Sequence, residues 1–590
     1  MISLLFRSFL VSPRRYAQLS AEDSSFLIPV HENFRVIALG VPAPPYPGKS
    51  LDPPLRSRFQ IRRVDNPNTG ELYENLLEHG NTEQNYARLL ATISGSIESA
   101  GGYNVAPFPS NSLESICHTM NHFPKEDHKS ILLRAYPLAL EDDRFHALMG
   151  NTQQNESQKV FWRSLEQTDS LEEGSFSYPV DTVSKSGPNE ATVSFLCAPS
   201  VDSYFGSEAT SVKVPCGRGE PNQVSTRFVP TTGSKRVLTA MVQEHAVGRD
   251  ILLISPKGEG KNATAQQFAG LLGYDTHLFG MYSELTSRDL LVRRTTDSTT
   301  GETSWEESPL MTAARQGDIC ILDGIEKLRP DVLSSLQSLA TDREVSLPDG
   351  RIARQKNMVS STSGSKVIPV HPSFRIVALG SLTKDSGTRW LTADAMSMFS
   401  TLLLPSPTEE CIRAILKSVN PSCPPEIVDV LLKFSKRLTY EVAENCGVAP
   451  MSTRNLIRVV RRVGGDANLH TLVCSVLVVD LLPPVQRASL ESLMEAAGIT
   501  GTKPSKRQGQ AKTISIQDNT VTIGDFSMKR AVVTRPEMVP FPKFFDIPSH
   551  VHAIQDLLQD WSNGERALLL LGNQGVGKNM IVDRICQIGT

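Results

Sequence analysis

The sequence lacks a cysteine framework. Its nine cysteines run from Cys117 to Cys586 at irregular spacing, without a C-x-x-C pair. An odd, scattered set argues against a disulfide scaffold or a thiolate zinc site and fits buried, reduced thiols. No stretch approaches the roughly 18 consecutive apolar residues that a membrane-spanning helix needs. An excess of charge of either sign is missing too: 60 Lys and Arg against 63 Asp and Glu leave a formal −3. Binding driven by counterion release needs a basic excess, so nucleic acid is not an expected partner. What remains, with 39% apolar and 21% charged residues, is a globular composition. At 590 residues the chain exceeds one hydrophobic core and predicts about three domains.

The first 20 residues carry Arg7, Arg14 and Arg15 and no acid before Glu22. That composition suits a mitochondrial presequence. It suits equally the first strand and helix of a domain entered part-way.

The chain repeats itself. "LIPVHENFRVIALG" at 27–40 returns as "VIPVHPSFRIVALG" at 367–380, an offset of 340 that holds through Leu51/Leu391 to Phe59/Phe399. "GRDILLISPKGEGKN" at 248–262 returns as "GERALLLLGNQGVGKN" at 564–579, with Lys261 and Lys578 317 positions apart. A fixed offset marks repeated structural units. The order predicts the back part of one module (1–165), a whole module (166–500) and the front of a third (501–590), as a window on a longer array. Within the second, a nucleotide core over about 225–405 precedes a helical lid over about 406–495. "GITGTKPSKRQGQAK" at 498–512 has linker composition. "KTISIQDNTVTIG" predicts a hairpin about Asp518-Asn519, and "ATVSFLC" and "TSVKVPC" predict a similar β-element before the second module.

The repeated loop carries chemistry. Gly572, Gly575 and Gly577 before Lys578 and Asn579 have the spacing of a phosphate-binding loop. Glycines let successive backbone N–H groups face an anion, and the next helix offers its positive end. The "ALLLL" run before the loop predicts a buried strand. The earlier copy has Ser255 in place of the first glycine, then Gly258, Gly260, Lys261 and Asn262. "DICILDGIEKL" at 318–328 predicts a strand ending in Asp323, a carboxylate beside the phosphates that can hold magnesium through water. Glu326 stands two residues after Gly324 as a substitute base, against the plainer reading of a solvated surface acid. Asn262 and Asn579 replace the usual hydroxyl ligand; an amide oxygen is also able to ligate a hard cation.

Together these motifs resemble AAA+ ATPases of the dynein-related, MoxR-like branch. The resemblance implies an α/β fold of tandem P-loop modules, each a parallel sheet flanked by helices with a helical lid. "LTSRDLL" (285–291), "GETSW" (301–305) and "PLMTAARQGDICILDG" (309–324) resemble that branch's inserted hairpin and its surroundings. "FRVIALG" and "FRIVALG" resemble the strand ending in sensor 1, with Val41 and Ser381 at its polar position. "LDPPLRSRF" (51–59) resembles the arginine-finger segment with Arg58 as the finger, and "MSTRNLIRVVRR" (451–462) resembles the sensor 2 helix with Arg454. Within the branch, the paired GKN loops are similar to a mitochondrial family that also carries a von Willebrand A domain, which implies a mitochondrial location. No D-x-S-x-S adhesion motif occurs here. On this resemblance the N-terminal residues belong to a module core.

The resemblance implies ATP and magnesium as cofactors, and neighbouring AAA+ modules and an unknown protein client as partners. Departures from the pattern qualify it. The second module lacks the first loop glycine, the hydroxyl ligand and the adjacent glutamate, and Met398 stands at its finger position. An arginine finger contributes about 10³ to 10⁵ in rate, roughly 4 to 7 kcal/mol, which methionine forfeits. The expectation is an ATP-binding array with weak hydrolysis coupled to motion between modules. The alternative is a nucleotide-stabilised scaffold that binds partner proteins. His31 and His371, which recur in the repeat, read as strand-edge packing.

Overall fold

The computed structural model describes residues 10–11, 28–40, 53–78, 83–100, 108–124, 126–139, 151–166, 179–196, 209–222, 228–297, 300–355, 366–381, 391, 393–439, 450–463, 469–500, 513–517, 519–524 and 526–589. Val41, Leu51, Asp518, residues 501–512 and most of 1–27 lie outside that set.

The central region folds around a five-stranded parallel sheet. Its strands are β1 (Asp250–Ser255), β2 (Thr276–Gly280), β3 (Ile319–Asp323), β4 (Arg375–Ser381) and β5 (Phe399–Leu403), in the order β5-β1-β4-β3-β2. Every residue of β1 and β4 is buried. Both faces of a parallel sheet are covered, which is why these strands read as apolar runs rather than alternations. Successive side chains serve opposite cores. Leu252, Ile254, Cys320, Leu322, Ile376 and Ala378 point to one; Ile251, Leu253, Ile319, Ile321, Val377 and Leu379 point to the other.

Helix α1 (Thr232–Ala246) starts at a capping box between Thr231 and Ser234. Helix α2 (Lys261–Leu271) follows β1. Helix α3 (Pro309–Gln316) has Ser308 as cap and Pro309 in its first turn. It stops at Gly317, φ 83°, where an added Cβ would lie 2.3 Å from His371 Nδ1. His371 thus packs just after Val367–Val370 as expected, whereas His31 is exposed and the same expectation does not hold there. Between β2 and α3 the segments Val292–Thr296 and Thr303–Glu307 pair as an antiparallel hairpin. One buried ion pair locks the start of β1. Asp250 accepts from Arg343 Nη1 and Nη2 at 2.7 and 3.0 Å and from the Ile376 amide at 2.9 Å.

Short helix α4 (Ala393–Met398) leads into β5, and a helical unit follows: α5 (Glu409–Val419), α6 (Pro425–Arg437), α7 (Thr453–Arg462), α8 (Leu469–Leu477) and α9 (Pro484–Ala496). These close over their own core of Leu416, Leu431, Phe434, Leu456, Val459 and Leu490. Two small antiparallel sheets flank this arrangement, Val180–Gly187 with Glu190–Leu196 and Ala209–Pro215, and Ile514–Gln517 with Thr520–Ile523 and Phe526–Lys529. Each has one strand more than the hairpin predicted from the sequence. Asn519, φ 65°, sits in the turn of the second.

The N-terminal helices Thr69–Glu78, Gln84–Ser99, Leu113–His122, His128–Ala135 and Asn151–Glu166 dock on the central region. Leu90, Ile93, Tyr136 and Phe161 share a core with Ile254, Met398 and Phe399. Buried Arg134 donates to Glu244 at 3.1 Å and to Gln243 at 2.8 Å across this contact. At the other end, α10 (Pro548–Ser562) and α11 (Lys578–Gly589) pack on the second small sheet through Val521, Ile523, Ile554, Leu558 and Ile585.

Two expected strands are not formed. "FRVIALG" at 34–40 carries no strand, with Phe34 51% and Leu39 95% exposed. "ALLLL" at 567–571 carries none either, and Leu569 is 79% exposed. Their copies β4 and β1 have strand neighbours on both sides. A strand is completed by its neighbours' hydrogen bonds, and among the described residues neither segment has them.

Candidate nucleotide-binding site

The chain leaves β1 at Ser255, turns through Gly258 (φ 86°) and Gly260 (φ 97°), and enters α2 at Lys261. Side chains other than glycine are strained in that left-handed region. The turn brings the lysine back over its own loop. Lys261 Nζ donates to the Ser255 and Pro256 carbonyls at 2.7 and 3.1 Å and to Ser381 Oγ at 3.1 Å. Gly260 gives no side-chain cap, so the first amides of α2 remain available to an anion.

Sheet order explains the serine. β4 lies between β1 and β3, with Ser381 in register with Ser255 and Leu379 in register with Asp323. The ends of three strands therefore converge beside the loop. Asn262 Nδ2 donates to Asp323 Oδ2 at 3.0 Å. Glu326 sits in the turn Ile325–Lys327, only 8% exposed, with Oε2 buried and unpartnered. The solvated-surface reading of Glu326 does not hold. Burial pushes the Lys261 ammonium down to about 8, opposed first by Glu326 and then by Asp323.

The helical unit reaches the same loop. The Arg454 amide donates to the Gly258 carbonyl at 3.2 Å, and Thr453 Oγ1 donates to Glu259 Oε2 at 2.7 Å. A Cβ on Gly258 would come within 2.5 Å of Ser452 Oγ. Arg454, expected from its motif, thus stands over the loop, and its charge adds to that around Lys261. Ser452, Thr453 and Glu259 were not anticipated. The cap that Ser452 places on the Asn455 amide was the legible sign, since it fixes where α7 begins.

The second loop repeats the turn. Gly575 and Gly577 have φ 82° and 81°, and Lys578 Nζ donates to the Gly572 and Asn573 carbonyls at 2.8 and 2.7 Å. Residues 571–576 are exposed, and Asn579 is exposed at the first turn of α11. Arg58 lies in an exposed segment after the short helix Pro53–Arg56. Met398, its counterpart, is 4% exposed at the end of α4.

The expected magnesium donors are disposed unevenly. Asp323 is a carboxylate suited to a hydrated cation. Asn262 faces it with the N–H side of its amide, because a carboxylate offers only acceptors. As arranged, the pair does not fit a two-ligand magnesium site. Among the described residues, no group of three or more His, Cys, Asp or Glu could hold a metal.

Residues 250–399 match the family described as AAA domain, dynein-related subfamily. The central region has the AAA fold. The mouse von Willebrand factor A domain-containing protein 8 is 33% identical over 98% of this chain, which spans 31% of that protein. Protein NorQ of Paracoccus denitrificans is 34% identical over 23% of this chain and 46% of its own length. Among solved structures, a Thermotoga maritima RuvB mutant overlaps 46% of this chain and 72% of that one, at 17% identity and a TM-score of 0.28. No helix among the described residues is long and apolar enough to cross a membrane.

Proposed function

We propose that the central site of this AAA+ chain binds ATP and hydrolyses it slowly, and that the chain is an array of modules whose relative motion follows nucleotide occupancy. One observation carries the reading. Lys261 is gripped at a strand-to-helix bend with Asp323 and Ser381 at the ends of adjoining strands. The amides of the loop and of α2 face a polyphosphate tail, Lys261 supplies charge, and Ser381 and Glu326 are the groups able to order and deprotonate water. Residues 1–165, 166–500 and 501–590 are the proposed modules, with Arg58 acting on a neighbouring pocket. Arg454 joins lid to loop, so nucleotide in the loop changes what the lid rests on.

A second reading, a nucleotide-stabilised scaffold for partner proteins, is favoured by Met398, a buried core residue where a finger is expected. Steady-state hydrolysis and thermal melting of the full chain separate the two. The ATPase reading predicts turnover lost in Lys261→Ala. The scaffold reading predicts no turnover, with a melting temperature raised by ATP in wild type and not in Lys261→Ala. Absence of both responses would remove the site altogether.

A further inference from the structure

We infer that the central pocket takes a nucleoside triphosphate without needing a divalent cation, because the Asn262 amide already occupies Asp323 as a hydrogen-bond donor where a cation would otherwise sit. The inference rests on the ATP-binding reading above and deepens it.

A serine or threonine hydroxyl at this position can donate its hydrogen to the acid while the same oxygen's lone pairs ligate a metal. An asparagine divides those tasks between two atoms. Here Nδ2 makes the 3.0 Å bond to Asp323 Oδ2, so the ligating oxygen is turned away from the carboxylate that would share the ion. Presenting Oδ1 means reversing the amide, which breaks that bond and sets an oxygen against an oxygen. A cation entering between them must displace a satisfied, half-buried hydrogen bond.

The pocket has other means of meeting phosphate charge. Lys261 is held by two carbonyls and Ser381, the α2 amides are uncapped, and Arg454 contributes from the lid. These are the donors that recognise a polyphosphate without an ion. The same letter stands at Asn579 beside Lys578, so the substitution recurs in both loops.

The test is equilibrium titration of the full chain with a fluorescent ATP analogue, in EDTA and in excess magnesium chloride, in a Lys578→Ala background that leaves the central site to report. The expected result is affinity that differs by less than about tenfold between the two conditions. Asn262→Thr, with its fold checked by circular dichroism, is expected to acquire a magnesium dependence of about tenfold or more. Binding that requires magnesium in the asparagine chain would overturn the inference and leave the ATP reading intact. An Asn262→Thr chain as indifferent to magnesium as its parent would overturn the role given to Asn262. Absence of binding in either buffer would overturn the inference and the ATP reading together.

Discussion

The two GKN loops adopt one local conformation in two different settings. Each puts two glycines at φ near 80–100° and returns its lysine to the two carbonyls that end the preceding segment. In the central loop that segment is a buried strand, Ser381 takes a third bond from the lysine, and Thr453 and Arg454 rest on the turn. In the C-terminal loop Leu568, Leu569 and Leu571 before the turn are exposed, and the lysine keeps only its two carbonyls among the hydrogen bonds described. The glycine turn is thus a property of about eight residues. Asp323, Ser381 and the helical unit that rests on the turn belong to the fold around it.

The largest expected contrast concerns the strand rather than the turn. Asp250→Ala leaves the largely enclosed Arg343 with no carboxylate and only the Leu339 carbonyl at 3.3 Å, and should cost about 3–5 kcal/mol in urea unfolding. The corresponding position, Ala567, is exposed, and Ala567→Asp should change stability by less than about 0.5 kcal/mol. Equal effects would break the comparison.

Next come the glycines. Gly258 and Gly575 share a positive φ, but only at Gly258 does a new Cβ collide, with Ser452. Gly575→Ala should cost about 1 kcal/mol of backbone strain, while Gly258→Ala should cost about 2–3 kcal/mol and loosen the contact with α7. Hydrogen exchange at the Arg454 amide, faster in Gly258→Ala alone, is the check.

A smaller effect follows from the burial of Lys261. With its ammonium at about 8, the empty site loses the proton above that pH, and a polyphosphate binds the charged form. Affinity at the central site should be flat below pH 8 and fall by up to about tenfold per unit above it. Lys261→Arg should stay flat over the same range. For stability the sign is opposite. The folded chain holds fewer protons than the unfolded one between about 8 and 10.5, so this group's contribution improves as pH rises through that window.

The smallest is at the contact of α7 with the C-terminal segment, where Arg462 meets Asp560 at 2.6 Å and Arg458 meets Glu565 at 3.3 Å. Arg462→Ala should cost no more than about 1 kcal/mol, less in high salt, as partly exposed pairs do. A larger, salt-insensitive loss would mean that this contact, rather than the turn, organises the second loop.

Much of the site was legible because its signals are short-range. Glycines at fixed offsets before Lys261, an apolar run ending in Asp323, and "FRIVALG" ending at Ser381 each encode one turn or one strand. Glu326 was harder, since nothing in "DGIEKL" says whether its turn faces water or the loop. Helix α7 was legible as a helix through its motif, but its landing on Gly258 was not, since that depends on where two separate cores meet. Two strand expectations, at 34–40 and 567–571, did not hold, because an apolar run states a preference that only adjacent strands can satisfy.

The sequence alone determined the turns, since a positive φ is tolerated by glycine and refused by most other residues within the same few positions. It determined as well that Asn stands beside each lysine. The tertiary structure alone decided which lysine is buried, that Asn262 and Asp323 meet, and that Ser381 lies between the loop strand and the acid strand. Those facts depend on sheet order and on burial, which arise from contacts between segments far apart in the chain.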